Sequence, residues 1–234
     1  MTDSIPFAPA TPETAAGPGA TPASTAPARS DKKSGSARST RMQPVLEQLA
    51  TLYPHLFGAV FRPLKRGIFE DLLQANPEVF QRETLKEALS FHTRSTRYLT
   101  AVAAGLPRHD LEGKPVEAMA PEHVHHALLE VFRRRASRSG EDLRPKLRDR
   151  IVQAFEASRL PREDYAQLAR GRDEAANALL DEALAIAAER RARDEALLRA
   201  FEASGDVSVE KFAEMYGLDP REAARSLERA RRAK

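Results

Sequence analysis

Half of the aromatic side chains of this 234-residue chain, seven of fourteen, fall between Tyr53 and Tyr98. Aromatic rings bring large buried areas, so the densest core is expected there. The sequence on either side is of a different kind. Residues 1–40 are mostly Ala, Pro, Thr, Ser and Gly, and only Ile5 and Phe7 offer bulk for a core. Such a stretch cannot bury enough apolar surface to offset its ordering entropy, and we expect it to be a disordered tail. Residues 136–234 are rich in Ala, Arg and Glu and helical by propensity. The stretch between them, 41–135, is long enough for one small domain.

Apolar spacing within 41–135 is helical nearly throughout. Val45, Leu46, Leu49, Leu52 and Tyr53 recur at intervals of three and four, and Pro54 ends that run. A second helix is expected to open at Pro63, with Leu64, Ile68, Leu72 and Leu73 on one face. Gly67 within that face costs helix stability, which suggests that something packs against its backbone. A third helix is expected over Arg82–His92, and a fourth carries Tyr98, Leu99 and Val102, capped by Thr93 or Ser95 and closed at Gly105. Arg108 to Val116 alternates around Glu112-Gly113, as a short hairpin does. Pro121 opens a last helix with Val124, Ala127, Leu128, Val131 and Phe132. The expected class is mainly α: a compact helical domain with one short β-hairpin, followed by a separate all-α C-terminal region.

Several chemistries are excluded. There is no cysteine, hence no disulfide framework, cysteine nucleophile or thiolate metal site. No P-loop, dinucleotide fingerprint or nucleophile elbow is present. His123, His125 and His126 cluster on one helix but lack further ligands, so they are expected to be partly exposed or capping residues. No enzyme, metal or cofactor is expected. No apolar run reaches the ~20 residues of a membrane span, and no secretory signal pattern opens the chain. A cytoplasmic location is the expectation.

Basic residues point to a polyanion. The net charge is only +3, so position matters more than total. Arg82 and Lys86 lie four apart, Arg94 and Arg97 three apart, Lys65 and Arg66 precede the second helix, and Arg108 begins the hairpin. Basic helix surfaces usually face water alone. Tyr98 beside Arg97 adds an aromatic among cations, a pattern suited to unpaired RNA bases.

The run Arg62-Pro63-Leu64-Lys65-Arg66-Gly67-Ile68-Phe69 resembles the "RPLKIGIF" opening of the RNA-binding domain of the ProQ/FinO family. Ala88-Leu89, Thr93, Arg97-Tyr98-Leu99, Gly105, Arg108, Asp110-Leu111, Gly113, Pro115, His123-Val124 and Ala127 continue the resemblance in order, over about residues 42 to 130. It implies an RNA chaperone of post-transcriptional regulation, binding structured small RNAs and mRNA 3′ ends, with a terminator hairpin and its U-rich tail as preferred target. By position, Arg62, Lys65, Arg82, Lys86, Arg94, Arg97, Tyr98 and Arg108 would form the RNA-binding face, with Thr93 and Ser95 at the turn into the fourth helix. Tyr98 would then stack on, or hydrogen-bond to, the terminal uridine. One departure is that a relative's Ser-Lys-Thr-Gln is replaced by Gln81-Arg82-Glu83-Thr84, which removes a helix cap and adds a negative charge. A second is Lys86 in place of an Arg, which forfeits bidentate geometry.

The flanks leave alternatives open. Residues 29–41 carry a local excess of four positive charges and residues 133–150 an excess of five. Each is either a solvated segment or an arm that adds sequence-independent phosphate contacts. Residues 136–150 are expected to be a basic helical linker. In residues 151–234, Ala154-Phe155-Glu156-Ala157-Ser158 recurs loosely as Ala200-Phe201-Glu202-Ala203-Ser204. Each copy is followed by an aromatic-Ala pair, Tyr165-Ala166 and Phe212-Ala213, which suggests duplicated helical hairpins. A helix–turn–helix-like unit near Val209–Leu227 leaves a DNA-binding or protein-adaptor role as the alternative function. The charge of −2 over 151–234 favours a protein partner over DNA.

Overall fold

The computed structural model describes residues 31–205 and 207–233. The fold is mainly α with a single two-stranded hairpin among the described residues. The helix α1 (Asp31–Leu52) is followed by a single turn, α2 (Pro54–Phe57). Next come α3 (Ile68–Ala75), α4 (Arg82–Thr93) and α5 (Thr96–Ala103). Strands β1 (Arg108–His109) and β2 (Pro115–Glu117) pair antiparallel, with Arg108 opposite Glu117. Then α6 (Pro121–Ala136), α7 (Arg144–Ser158), α8 (Arg162–Ala169), α9 (Glu174–Ala203), α10 (Val209–Tyr216) and α11 (Pro220–Ala233) complete the chain.

Two boundaries in the first half of the chain differ from the sequence reading. Helix α1 begins at Asp31, so it takes in 31–40, which composition had assigned to the tail. The rest of that expected tail, 1–30, lies outside the described residues. The second correction concerns Pro63. No helix starts there; α3 opens at Ile68, and Gly67 precedes it as a left-handed residue with φ of 80°. A Cβ at Gly67 would meet nothing within 4 Å, so its role is conformational and no neighbour packs on it. The reason is tertiary. Pro63–Lys65 runs extended beside β1, with a parallel bridge from Leu64 to His109, and ladder bonds outweigh local helix propensity.

The central core is built from Leu49, Leu56, Leu72, Leu85 and Ala88, all at 0% exposure. It continues without a break into the C-terminal helices. Ile151 of α7, Tyr165 of α8 and Leu180, Ala183, Leu184 and Ala187 of α9 belong to the same apolar cluster. Residues 136–150 are thus not one helical linker: α6 stops at Ala136, and α7 starts at Arg144 and buries Leu147. Farther along α9, Leu198 packs with Leu227 and Ala230 of α11 in a second, smaller cluster.

The aromatic-Ala pairs of the loose repeat occupy like positions. Phe155 meets Tyr165 edge-on at 5.2 Å, and Phe201 meets Phe212 at the same centroid distance. Tyr165 and Phe212 are both fully buried. The Tyr165 hydroxyl differs from its counterpart in finding no hydrogen-bond partner among the described residues, and burial pushes its pKa up to about 12. A buried, unpaired hydroxyl is a net cost of about 1–3 kcal/mol. Tyr165→Phe should therefore fold with unchanged or raised stability, whereas a drop above about 1 kcal/mol in urea unfolding would show that the hydroxyl has a partner.

Candidate nucleic-acid interface

The segment Pro63-Leu64-Lys65 is the centre of the site. Buried backbone groups need partners, and here those of Pro63, of Leu64 and of the Lys65 N–H come from distant parts of the chain. The Pro63 carbonyl accepts from His109 N–H at 2.8 Å, and Lys65 N–H donates to the His109 carbonyl at 2.9 Å. Leu64 N–H donates to the Tyr98 hydroxyl at 3.1 Å, and the Leu64 carbonyl accepts from Arg108 Nη1 at 3.0 Å. One short stretch thereby gathers Lys65, Tyr98 of α5 and Arg108 of β1.

Tyr98 is 7% exposed, and its ring packs edge-on against buried His92 at 5.3 Å. It is therefore not an open stacking platform, a correction to the sequence reading. Burial raises the pKa of its hydroxyl, against smaller opposing effects of the Leu64 amide and Arg108. The group stays protonated, and having accepted from Leu64 it retains a proton to donate. Arg108 is largely buried, with Nε 3.7 Å from Glu117 across the hairpin.

The first turn of α3 joins this centre to α4. Asp71 takes the Lys65 ammonium at 2.7 Å, and that hydrogen bond raises the lysine's pKa. Its neighbour Glu70 takes Arg82 of α4 at 3.0 Å, and the Arg82 guanidinium lies 5.1 Å over the Phe69 ring. Lys86, one turn further along α4, is exposed with no acidic partner among the described residues. Gln81 caps α4 with no side-chain hydrogen bond, as its substitution for Ser implies. Exposed ion pairs of this kind contribute about 0–1 kcal/mol, so a phosphate can displace the carboxylate at little cost.

The other expected residues are held differently. Arg97 donates to the Ala59 carbonyl at 2.6 Å and lies 4.4 Å over the Phe61 ring. Phe61 touches His92 at 4.4 Å, so Arg97 and Tyr98 flank one aromatic stack and do not form a shared pocket. Arg62 donates to the Gly113 carbonyl at 3.1 Å. Gly113 has φ of 75°, and a Cβ there would sit 3.0 Å from His55 Cβ, so only glycine fits this turn without strain. Arg62 and Arg97 bond to carbonyls, which leaves their charge uncancelled. Ser95 caps α5 by accepting from Tyr98 N–H at 3.2 Å, and Thr93 donates to the Leu89 carbonyl at 2.9 Å.

Arg94 is exposed, and its carbonyl accepts from Arg134 Nη1 at 2.7 Å. Arg134 also reaches Thr96 Oγ1 at 3.1 Å and pairs with Glu130 at 2.8 Å. Spacing gave no sign of this link between α6 and the α4–α5 turn. The basic excess over 133–150 is also smaller in space than in sequence. Glu130 holds Arg133 as well, Asp142 holds Arg144, Glu141 holds Lys146 and Glu182 faces Arg148.

The histidine cluster is not a ligand set: among the described residues no group of three or more His, Asp or Glu side chains is placed to hold a metal. His123 is exposed, while His125 is buried against Tyr165, contrary to the expectation of partial exposure. No helix among the described residues is long and apolar enough to cross a membrane.

Among solved structures, a FinO-like RNA chaperone from Neisseria meningitidis aligns with 46% of this chain and 93% of its own length, at 24% identity and a TM-score of 0.35. The description of the ProQ/FINO family matches residues 39–144, which contain α2 to α6 and every candidate residue above. Residues 39–144 are thus the part of this chain that is similar to the ProQ/FINO family.

Proposed function

We propose that this chain is an RNA-binding protein and RNA chaperone of post-transcriptional regulation that grips the 3′ end of structured RNAs, small RNAs and mRNA 3′ ends among them. The observation that carries this reading is the meeting of the Tyr98 hydroxyl and Arg108 on the Leu64 backbone, next to Lys65 and inside the family-matched stretch. These groups offer donors to the phosphate and ribose oxygens of a strand terminus. Arg82, with Lys86 beside it, adds positioning contacts to the stem without reading its sequence. A-form RNA hides its base edges in a deep groove, so a free end and the duplex shape are what such a face can recognise.

The test is binding to a hairpin with a U-rich 3′ tail. Removing the tail, or phosphorylating the 3′ end, is expected to weaken binding at least ten-fold. Equal affinity for all three RNAs would refute end recognition.

A protein-adaptor role is the second reading. Met215, Tyr216 and Leu218 stand 62%, 56% and 38% exposed at the α10–α11 corner. Capture of a partner by the full chain after RNase treatment, lost on Met215→Ser with Tyr216→Ser, would support it.

A further inference from the structure

A second basic site lies outside the family-matched stretch, in an open groove of about 540 Å³ between α9 and α11. Arg190 and Arg193 line it from α9, and Arg225 and Arg229 from α11. Against these four cations stand Asp194 and Glu222 in the lining, and Glu156 of α7, which already takes Arg190 at 3.3 Å. Asp194 is 4% exposed and already committed: it takes Arg229 in a two-pronged pair at 2.7 and 2.9 Å. Ser226 takes a further Arg229 hydrogen bond at 2.9 Å. The Arg229 side chain is fixed in orientation yet keeps 42% of its surface exposed. Arg193 and Arg225 are exposed with no acidic partner among the described residues; Arg225 donates only to the Arg221 carbonyl.

We propose that this groove binds the phosphodiester backbone of RNA, as a second contact for transcripts longer than the hairpin held by the family-matched stretch. The inference rests on the RNA-binding reading above. Guanidinium groups on both walls suit phosphate oxygens, which they can engage in pairs. The arginines at 225 and 229 stand one helical turn apart, about 6 Å along the axis, a step comparable with successive phosphates on a strand. Leu197, Leu218 and Ala223 supply the apolar lining, and no aromatic side chain is present for a base to stack on. The site therefore contacts backbone and leaves sequence unread.

The experiment compares the full chain with the double variant Arg193→Glu, Arg225→Glu. Both positions are exposed, and circular dichroism melting checks that the fold is kept. Two RNAs are used: a minimal hairpin with its U tail, and the same hairpin with a single-stranded 5′ extension. Wild type should bind the extended RNA more tightly. The variant should lose roughly ten-fold on the extended RNA and nothing on the minimal one, and its log K against log salt slope should shrink by about 1.4 for two lost phosphate contacts. Unchanged binding of the extended RNA overturns the groove while leaving end recognition intact. Failure of wild type to bind either RNA overturns the RNA reading itself, and the groove with it. Loss confined to competing duplex DNA overturns the RNA assignment in favour of a DNA contact.

Discussion

Tyr98→Ala should lower folding stability by about 3–5 kcal/mol, the range for deleting a buried aromatic ring. The loss has two parts. The ring leaves a void against His92, and Leu64 N–H loses its acceptor. Tyr98→Phe separates them: it keeps the ring and removes only the hydroxyl, at a cost of about 1–2 kcal/mol. Urea midpoints of the three proteins give both numbers. RNA binding gives the complementary result. Tyr98→Phe stays folded but lacks the hydroxyl proton that the proposed end recognition assigns to the RNA terminus, so on that proposal its affinity for the tailed hairpin should fall. A stacking role predicts the reverse, with Tyr98→Ala folded normally and Tyr98→Phe binding as wild type. A wild-type midpoint for Tyr98→Ala would sink the anchoring role.

Acid should unfold this protein through two histidines. His92 and His125 are 3% and 2% exposed, and each has its pKa pushed down to about 4 from 6.5. Burial is the main cause for both. The Arg97 charge adds to it for His92, and His126 does so for His125. His92 Nε2 and His125 Nδ1 have no hydrogen-bond partner among the described residues. Between pH 6.5 and 4 the unfolded chain binds protons that the folded chain refuses. The stability from keeping these rings neutral is thus fully present above about pH 6.5 and is lost as the pH falls toward 4. Each contributes up to about 3 kcal/mol across that window. Unfolding free energies measured from pH 7 to pH 4 should decline accordingly. His92→Phe, which keeps an aromatic ring against Phe57 and Phe61, should remove about half of the decline. A stability profile flat over that range would contradict the burial argument.

Local patterns carried much of this fold. The apolar periods gave α4, α5 and α6 nearly to their ends, and Ser95 and Gly105 sit where capping chemistry placed them. What the sequence could not show depended on partners far along the chain. Pro63 reads as a helix start until His109, more than forty residues away, supplies its ladder bonds. Tyr98 beside Arg97 fits a stacking surface or a core anchor equally well, and only the position of His92 decides between them. The carboxylates of Glu70, Asp71 and Glu117 were invisible as neighbours of Arg82, Lys65 and Arg108, because no fixed spacing links them. The continuous core through α7, α8 and α9 was hidden for a similar reason: Ala-rich helices look alike whether they are docked or free.

Helix α9 belongs to both apolar clusters, docking Leu184 in the first and Leu198 in the second. Because the stretch between them is unbroken helix, Leu184 and Leu198 are held about 21 Å apart along its axis. It behaves as a caliper where a flexible tether would let its ends roam. On the proposed groove contact, a transcript too short to reach from the domain at residues 39–144 to the α9–α11 groove would gain nothing from it, so affinity should climb with RNA length as a step and not as a slope.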